Sequence, residues 1–216
     1  MKIENTETAG FSAAIRGMRN PMASYGRADS YVTGQGEFIL GEKDKDLAQR
    51  LLSGGSPHDK FMRQIYVSAD ITAPLFLWKE LDQYKISTTT DSESTMHRIT
   101  SSPITMDCFE IGDYEPLIAT NVHFRNNPEA IIEYCEDLRK MFLETKDKRY
   151  WKELIRWLPE GWLQKRTWSG SYAVVRNIVQ QRRGHRLTEW NAIVDWSRTL
   201  PYANELIWYG IEEMHE

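Results

Sequence analysis

The sequence predicts an α+β fold with more helix than sheet. A half-buried strand is indicated within Phe61–Thr72, where apolar and polar side chains alternate from Ile65 onward. A long helix is indicated by the start signal Asn127-Pro128-Glu129, after which apolar residues fall on one helical face up to about Lys146. These two periodicities, repeated elsewhere in the chain, define the predicted class.

The other elements follow in chain order. A short amphipathic helix is predicted over Asp44–Leu52, and the Ser53-Gly54-Gly55 turn ends it. Pro74 stands at a first helical position, ahead of a helix over Leu75–Tyr84. Four more helices and a second strand are predicted: helices at Tyr150–Leu158, Tyr172–Gln181, Leu187–Thr199 and Pro201–Met214, and a strand at Gln164–Ser171.

Three stretches carry no clear period. The opening stretch to Gly41 is rich in Gly, Ser and Asn, and Gly34-Gln35-Gly36 indicates a turn or mobile loop. Ser87–Thr95 is too polar for a core and is predicted as a loop. Met96–Ile118 is read as loop with short helix.

Composition bounds the class of protein. The chain has 216 residues, a formal net charge of −4 and two cysteines, Cys108 and Cys135. This length fits one domain, taken as residues 1–216, and two cysteines cannot form a disulfide framework. Apolar runs are too short for a membrane span, and the N-terminus lacks the apolar core of a signal peptide, so a cytoplasmic protein is expected.

The aromatic residues are unevenly distributed. Of the eight tryptophans, only Trp78 precedes residue 150. The last third of the chain therefore either carries most of the core or presents a broad stacking surface. We expect core, because tryptophan mostly stabilises proteins by burying its large area.

Three features point to chemistry. The loop Ser87–Thr95 offers hydroxyls and carboxylates that can bind a sugar or a phosphate-bearing ligand, although most such loops are solvated turns. The basic cluster Arg176–Arg186 offers guanidinium forks for phosphate, and its helical spacing places Asn177 near Gln181. The plain alternative is a solvated basic face. Lys165 and Arg166, with Arg156, lie among tryptophans, a combination that suits a nucleotide or flavin.

Several common sites are excluded by their missing motifs. The chain has no glycine-rich dinucleotide fingerprint, no P-loop and no nucleophile elbow. Its five histidines show no metal-ligand spacing, so no metal site is predicted.

Taken in order, several segments resemble the flavin-dependent thymidylate synthases. The likeness begins at Met18–Gly26, continues at Gly54-Gly55-Ser56-Pro57 and is strongest at Ala73-Pro74-Leu75-Phe76, where the family's signature helix starts. It resumes in scattered matches over the last third of the chain: Leu158-Pro159, Arg166-Thr167-Trp168, Asn177 and Arg182. The resemblance implies the family's fold, an antiparallel sheet packed with several helices.

The signature itself is altered. Where the family has Arg-His-Arg, this chain has Gln83-Tyr84-Lys85, followed by Ile86. The change removes two forked guanidinium donors, while Tyr84 keeps a ring that can stack and Lys85 keeps a charge. Ser171 replaces an asparagine that the family uses for flavin.

Carried over residue by residue, the resemblance implies two sets of contacts. Those to the substrate are Lys79, Asp91, Glu93, Ser94, Arg98, Arg156 and Arg182, and those to the flavin are Ser56, Gln83, Tyr84, Lys85, Ile86, Ser171, Asn177 and His185. No catalytic nucleophile is assigned.

The implied activity is methylation at C5 of a pyrimidine nucleotide, either dUMP or a related uridylate or cytidylate. FAD, NADPH and methylenetetrahydrofolate would be its cofactors, and a homotetramer with shared sites its assembly. The alternative is a non-catalytic descendant that binds nucleotide or nucleic acid without flavin. Gln83 and Tyr84 favour this alternative, whereas Asn177, Arg182 and Ser56-Pro57 favour the enzyme.

Overall fold

A computed structural model describes residues 1–111 and 127–211 of the chain. It confirms the α+β class: helices accompany an antiparallel four-stranded sheet with strand order β1-β4-β6-β5, in which β1 and β5 are the outer strands. The strands are β1 (Lys2–Ala9), β4 (Tyr66–Pro74), β5 (Thr89–Ser92) and β6 (Leu163–Ser171), and a separate hairpin pairs β2 (Tyr31–Val32) with β3 (Phe38–Ile39).

The helices agree with most of the predicted ranges. They are α1 (Phe11–Gly17), α2 (Glu42–Ser53), α3 (Leu75–Leu81), α4 (Thr95–Arg98), α5 (Asn127–Thr145), α6 (Lys148–Trp157), α7 (Tyr172–Arg182) and α8 (Trp190–Arg198). A 3₁₀ helix covers Asp59–Gln64 and a π-helix covers Ala203–Ile207. No helix in the described ranges joins the length and the apolar character that a bilayer crossing requires.

Strand β4 shows why the alternation was informative. Val67, Ala69, Ile71 and Ala73 are each 1% exposed, whereas Tyr66 on the opposite face is 55% exposed. Because successive side chains of a strand point to opposite faces, this pattern fixes which face of the sheet is buried. Of the predicted strand residues before Tyr66, Phe61–Gln64 belong to the 3₁₀ helix and Ile65 follows it.

Three expectations need correction. The polar stretch Ser87–Thr95 contains strand β5, whose residues are all exposed, so no alternation revealed it. In the opening stretch the structure has β1, α1 and the β2–β3 hairpin, and this hairpin turns at the predicted glycines. Helix α3 ends at Leu81, before Tyr84, and the predicted helix from Pro201 is only a short π-helix over its described residues. The last part of Met96–Ile118 lies outside the described residues.

The chain divides into two compact units. The described residues of the first are 1–2, 71–82, 91–111 and 127–166, and those of the second are 3–70, 83–90 and 167–211. The first unit has a core in which the following buried side chains pack together: Ile99, Ile104, Phe109, Ile132, Cys135, Leu138 and Leu154. The extent of a single domain stays a prediction.

The second unit is built around buried aromatic rings. Phe11 meets Tyr172 edge-to-face at 5.4 Å between ring centroids, and Trp168 meets Trp196 in the same way at 6.2 Å. Together with Trp78 of the first unit, four tryptophans of the second unit are buried, namely Trp168, Trp190, Trp196 and Trp208. For these residues, the expectation of a core role is confirmed.

A buried ion pair between Arg19 and Asp44 stabilises the start of α2. The Asp44 side chain is fully buried and accepts hydrogen bonds from Arg19 Nε at 2.5 Å and from the backbone N–H groups of Asp29 and Ser30 at 3.0 and 2.8 Å. In return, the Asp29 carboxylate accepts from the N–H groups of Lys43 and Asp44, two of the donors that a helix start leaves unpaired. These reciprocal bonds hold the segment before α2 against the helix.

We predict that Asp44→Asn destabilises the protein by roughly 3–5 kcal/mol, because it leaves the Arg19 guanidinium buried without its counter-charge. Urea unfolding would measure this loss. As a control, Asp46→Asn breaks the exposed Arg50–Asp46 pair and should cost less than about 0.5 kcal/mol. Equal effects of the two substitutions would contradict the importance of the buried pair.

The same residue should shape the acid dependence of stability. Burial raises the pKa of Asp44, but the hydrogen bonds from Ser30, Asp29 and Arg19 outweigh burial, so the pKa lies below its ordinary value of 3.8. The ionised carboxylate therefore contributes stability above that value, and the contribution is lost as the pH falls through the lowered folded pKa. The stability difference between wild type and Asp44→Asn should be constant above about pH 5 and shrink in more acidic solution. A difference that does not change with pH would be contrary to this account.

Candidate functional site

A cleft in the second unit brings together residues from three distant parts of the chain. Its volume is about 410 Å³. We call it the Ser171 cleft, and its lining residues are Leu52, Gly55, Ser56, Asp59, Arg63, Ile86, Ser87, Ser171, Ala173, Val174, Arg176, Asn177 and Gln180. They come from the end of α2 with the 3₁₀ helix, from the segment after α3, and from the first turns of α7.

Helix α7 places its polar residues by burying its other face. Tyr172, Val175, Ile178 and Val179 are buried, and this apolar face holds the helix in the second unit. Arg176, Asn177 and Gln180 then fall on the remaining face and line the cleft. The cleft wall is thus a direct product of the helical period.

The junction of β6 and α7 presents an unpartnered hydroxyl. Ser171 is the N-cap of α7 and is fully buried, yet its Oγ makes no hydrogen bond to any residue that the structure describes. The backbone N–H of Tyr172 is paired with the Ile65 carbonyl at 2.9 Å. The next two residues, Ala173 and Val174, line the cleft at a helix start, where backbone N–H groups lack acceptors within the helix. This corner of the cleft is therefore suited to a ligand with hydrogen-bond acceptors or negative charge.

The charges in the cleft are unequal. Arg63 and Arg176 line it opposite one carboxylate, Asp59. Arg176 Nη1 donates to the carbonyls of Ile207 and Tyr209, both at 2.7 Å, which fixes the side chain. Burial lowers the pKa of the Arg176 guanidinium, and the Asp59 carboxylate partly offsets this effect. The surplus of one positive charge again favours an anionic ligand.

The segment after α3 reaches the cleft in a constrained conformation. Ser87 has φ of +60°, in the left-handed region that residues other than glycine seldom adopt. The Thr88 hydroxyl donates to the Tyr84 carbonyl and closes the turn. Ile86 and Ser87 are thereby held at the cleft.

Four of the residues predicted to bind flavin meet in this cleft: Ser56, Ile86, Ser171 and Asn177. Gln83 and Lys85 are exposed in the same unit. Nothing in the sequence singles out Asp59 or Arg63, because isolated charged residues of a 3₁₀ helix give no periodic signal. Arg176 belongs to the predicted basic cluster, in which no contact was assigned to it.

Tyr84, Arg182 and His185 form a cluster of their own. The Tyr84 ring is only 9% exposed and packs edge-to-face on Trp190 at 6.2 Å, so it is not presented for stacking on a ligand. Arg182 Nε donates to the Tyr84 hydroxyl at 2.9 Å, and Nη1 lies 3.0 Å from His185 Nε2. The Arg182 guanidinium also lies 4.7 Å from the centre of the Trp190 ring, a cation–π contact.

The other residues predicted to bind substrate lie in the first unit, and most of them form local pairs. Arg98 pairs with Glu93 at 2.7 Å, Lys79 with Glu160 at 2.6 Å and Arg156 with Glu153 at 3.1 Å. Ser94 Oγ lies 2.8 Å from His97 Nδ1, and Asp91 is exposed on β5. Throughout the described ranges, no three His, Cys, Asp or Glu side chains are grouped as metal ligands.

The fold matches that of solved structures. Two solved structures share this α+β fold across almost the whole chain, and both are flavin-dependent thymidylate synthases. The chain therefore has the flavin-dependent thymidylate synthase fold, as the resemblance implied.

Both structures are of thymidylate synthase X (ThyX) from Helicobacter pylori with FAD and dUMP. One aligns with a TM-score of 0.70 and 17% identity, the other with 0.66 and 16%. Each alignment covers 95% of this chain and 96% of the other. At the level of sequence, neither a family model nor a curated protein matches the chain.

The unpartnered hydroxyl makes a prediction about stability. Ser171→Ala removes a buried oxygen that has no partner in the protein, so stability should stay the same or rise by up to about 1 kcal/mol. Ser197→Ala is the matched control: this serine is also fully buried, but its hydroxyl donates to the Val194 carbonyl and accepts from Trp208 Nε1. That variant should lose about 1–2 kcal/mol in chemical unfolding. A comparable loss in Ser171→Ala would show that its hydroxyl is satisfied within the protein.

Proposed function

We propose that the protein is a flavin-dependent enzyme that methylates C5 of a pyrimidine nucleotide, with dUMP or a related uridylate or cytidylate as substrate. One observation carries the proposal: Ser56, Ile86, Ser171 and Asn177, which the resemblance assigns to flavin, line one cleft. The protein also shares its fold with two solved structures that hold FAD and dUMP.

The residues of the Ser171 cleft fit FAD in their chemistry. A flavin ring carries carbonyl oxygens and ring nitrogens along one edge, and FAD adds a diphosphate. Ser171 Oγ and the N–H groups at the start of α7 offer donors, and Arg63 and Arg176 offer positive charge. Ile86 and Leu52 offer apolar surface for a ring face. These residues would hold the cofactor in the proposed enzyme.

Bound FAD would supply the reducing equivalents, with NADPH as reductant and methylenetetrahydrofolate as carbon donor. The protein would contribute binding, orientation and charge, because no cysteine nucleophile is assigned. Of the residues assigned to the substrate, Arg182 would act on the nucleotide phosphate through its guanidinium. A cytoplasmic homotetramer with shared sites belongs to the same proposal.

The first test is direct binding of FAD. The purified protein should be yellow or should bind added FAD with a Kd in the micromolar range, about −8 kcal/mol. Ser171→Ala should raise that Kd roughly three- to tenfold through loss of one hydrogen bond, and Ser197→Ala should leave it unchanged. Flavin fluorescence quenching gives both values. A colourless wild-type protein that does not quench FAD would end the flavin proposal.

The alternative function is nucleotide or nucleic-acid binding without flavin. It is favoured by the Tyr84 cluster, in which the ring is buried and Arg182 is already engaged by Tyr84, His185 and Trp190. Under this alternative the fold would persist while the residues of the altered signature serve the protein's own packing.

Arg182→Ala tests whether Arg182 binds the nucleotide phosphate, which either function could require. If Arg182 binds the phosphate, the variant should weaken dUMP or UMP binding by about 1.5–3 kcal/mol, measured by calorimetry. Arg198→Ala is the control, since it removes another arginine stacked on a tryptophan, Trp208, in the same unit. If Arg182→Ala leaves nucleotide binding unchanged, Arg182 does not contact the phosphate and serves only the packing of the second unit.

A further inference from the structure

A directed chain of hydrogen bonds runs from Arg182 to the Ser171 cleft. Arg182 Nε donates to the Tyr84 hydroxyl, the hydroxyl donates to Gln181 Oε1, and Gln181 Nε2 donates to Asn177 Oδ1, each at 2.9 Å. Asn177 lines the cleft and is the last member of the chain. Gln181 and Asn177 are four residues apart on α7, so they face the same side of the helix.

The polarity of this chain is determined at its first member. A guanidinium can only donate hydrogen bonds, so the Tyr84 oxygen must accept from Arg182 and use its own proton toward Gln181. Gln181 then receives on its carbonyl oxygen and must donate from its amide nitrogen. Asn177 accepts on Oδ1, which leaves its Nδ2 amide group for other partners. Whereas an isolated asparagine could turn over its amide, here three bonds select one orientation.

We propose that Tyr84 and Gln181 are positioning residues that hold Asn177 with its amide N–H₂ group toward the Ser171 cleft. The ligand of the cleft must then present a hydrogen-bond acceptor at this point, such as a carbonyl oxygen, an unprotonated ring nitrogen or a phosphate oxygen. This inference rests on the proposed function for the identity of its probe, FAD, which carries such acceptors.

This arrangement gives Tyr84, the middle residue of the altered triplet, an indirect role at the cleft. The Tyr84 ring is buried on Trp190, so its hydroxyl reaches the Ser171 cleft through Gln181 and Asn177. Tyr84 thus acts on specificity from inside the second unit. Gln181 is exposed and would otherwise be free to rotate, and its bond to Tyr84 fixes its amide.

Two substitutions test the polarity. Tyr84→Phe keeps the ring on Trp190 but removes the hydroxyl, and it should raise the Kd for FAD roughly three- to tenfold. Gln181→Glu offers Asn177 only an acceptor, so Asn177 must turn its Nδ2 to the new carboxylate and present Oδ1 to the cleft. That reversal should raise the Kd by about tenfold or more.

The decisive readout is the same pair of substitutions in an Asn177→Ala background. If both act through Asn177, neither should change the Kd by more than about twofold there. Any direct effect of the Gln181→Glu carboxylate on FAD would persist without Asn177, so this background measures that effect separately. Tyr202→Phe is the matched control: its half-buried hydroxyl donates to the Phe38 carbonyl away from the cleft, so stability should fall and FAD affinity should not.

Three results would overturn the proposal. The first is wild-type FAD affinity in Tyr84→Phe and Gln181→Glu. The second is a loss of FAD affinity of the same size with and without Asn177, and the third is a loss of FAD affinity in Tyr202→Phe as large as that in Tyr84→Phe. If the wild-type protein binds no FAD, the proposed function fails but the hydrogen-bond chain is still tested without ligand. Side-chain amide signals in nitrogen-15 NMR should then show Asn177 shifting in Tyr84→Phe and not in Tyr202→Phe. An Asn177 signal that is unchanged by Tyr84→Phe would overturn the proposal independently.

Discussion

The burial of one face of α7 is the constraint on which the candidate site depends. Tyr172, Val175, Ile178 and Val179 bury that face in the second unit, and full burial of such side chains is worth about 1.5–3 kcal/mol each. The helical period then leaves Arg176, Asn177 and Gln180 on the cleft. The same packing buries Ser171 at the first turn, where its hydroxyl has no protein partner. Apolar packing therefore sets the position of the polar chemistry.

A second feature is the altered triplet Gln83-Tyr84-Lys85, in which the resemblance implies ligand contacts. Tyr84 lies at the centre of this change, because its ring packs on Trp190 and its hydroxyl joins Arg182 to Gln181. A buried ring cannot stack on a flavin, yet a buried hydroxyl can fix an amide that does reach the cleft. Under the proposed function, the altered triplet would act through Tyr84 and Asn177, and the Ser171 cleft is formed with this triplet present.

The sequence predicted those features that depend on local order and missed those that depend on contacts between distant residues. The alternation in β4 and the period of α7 follow from burial on one face, so both elements were predicted. The bounds of α7 were nearly right, whereas the predicted strand began at Phe61 and β4 begins at Tyr66. The Asn177–Gln181 pair was also expected, since it lies within one helix. The hydrogen bond that the Tyr84 hydroxyl donates to Gln181 spans 97 positions, and nothing in the local sequence pattern indicates it. Strand β5 was missed because an exposed outer strand has no apolar alternation, and the Asp44–Arg19 pair because charged residues are expected at the surface.

The central claim is that the Ser171 cleft is where this protein holds its flavin. A crystal structure of the protein grown with FAD would test it most directly. The account predicts flavin density in the cleft, with an acceptor atom of the ligand within hydrogen-bond distance of Ser171 Oγ and of Asn177 Nδ2. Flavin bound at another surface while the Ser171 cleft holds only water would contradict it.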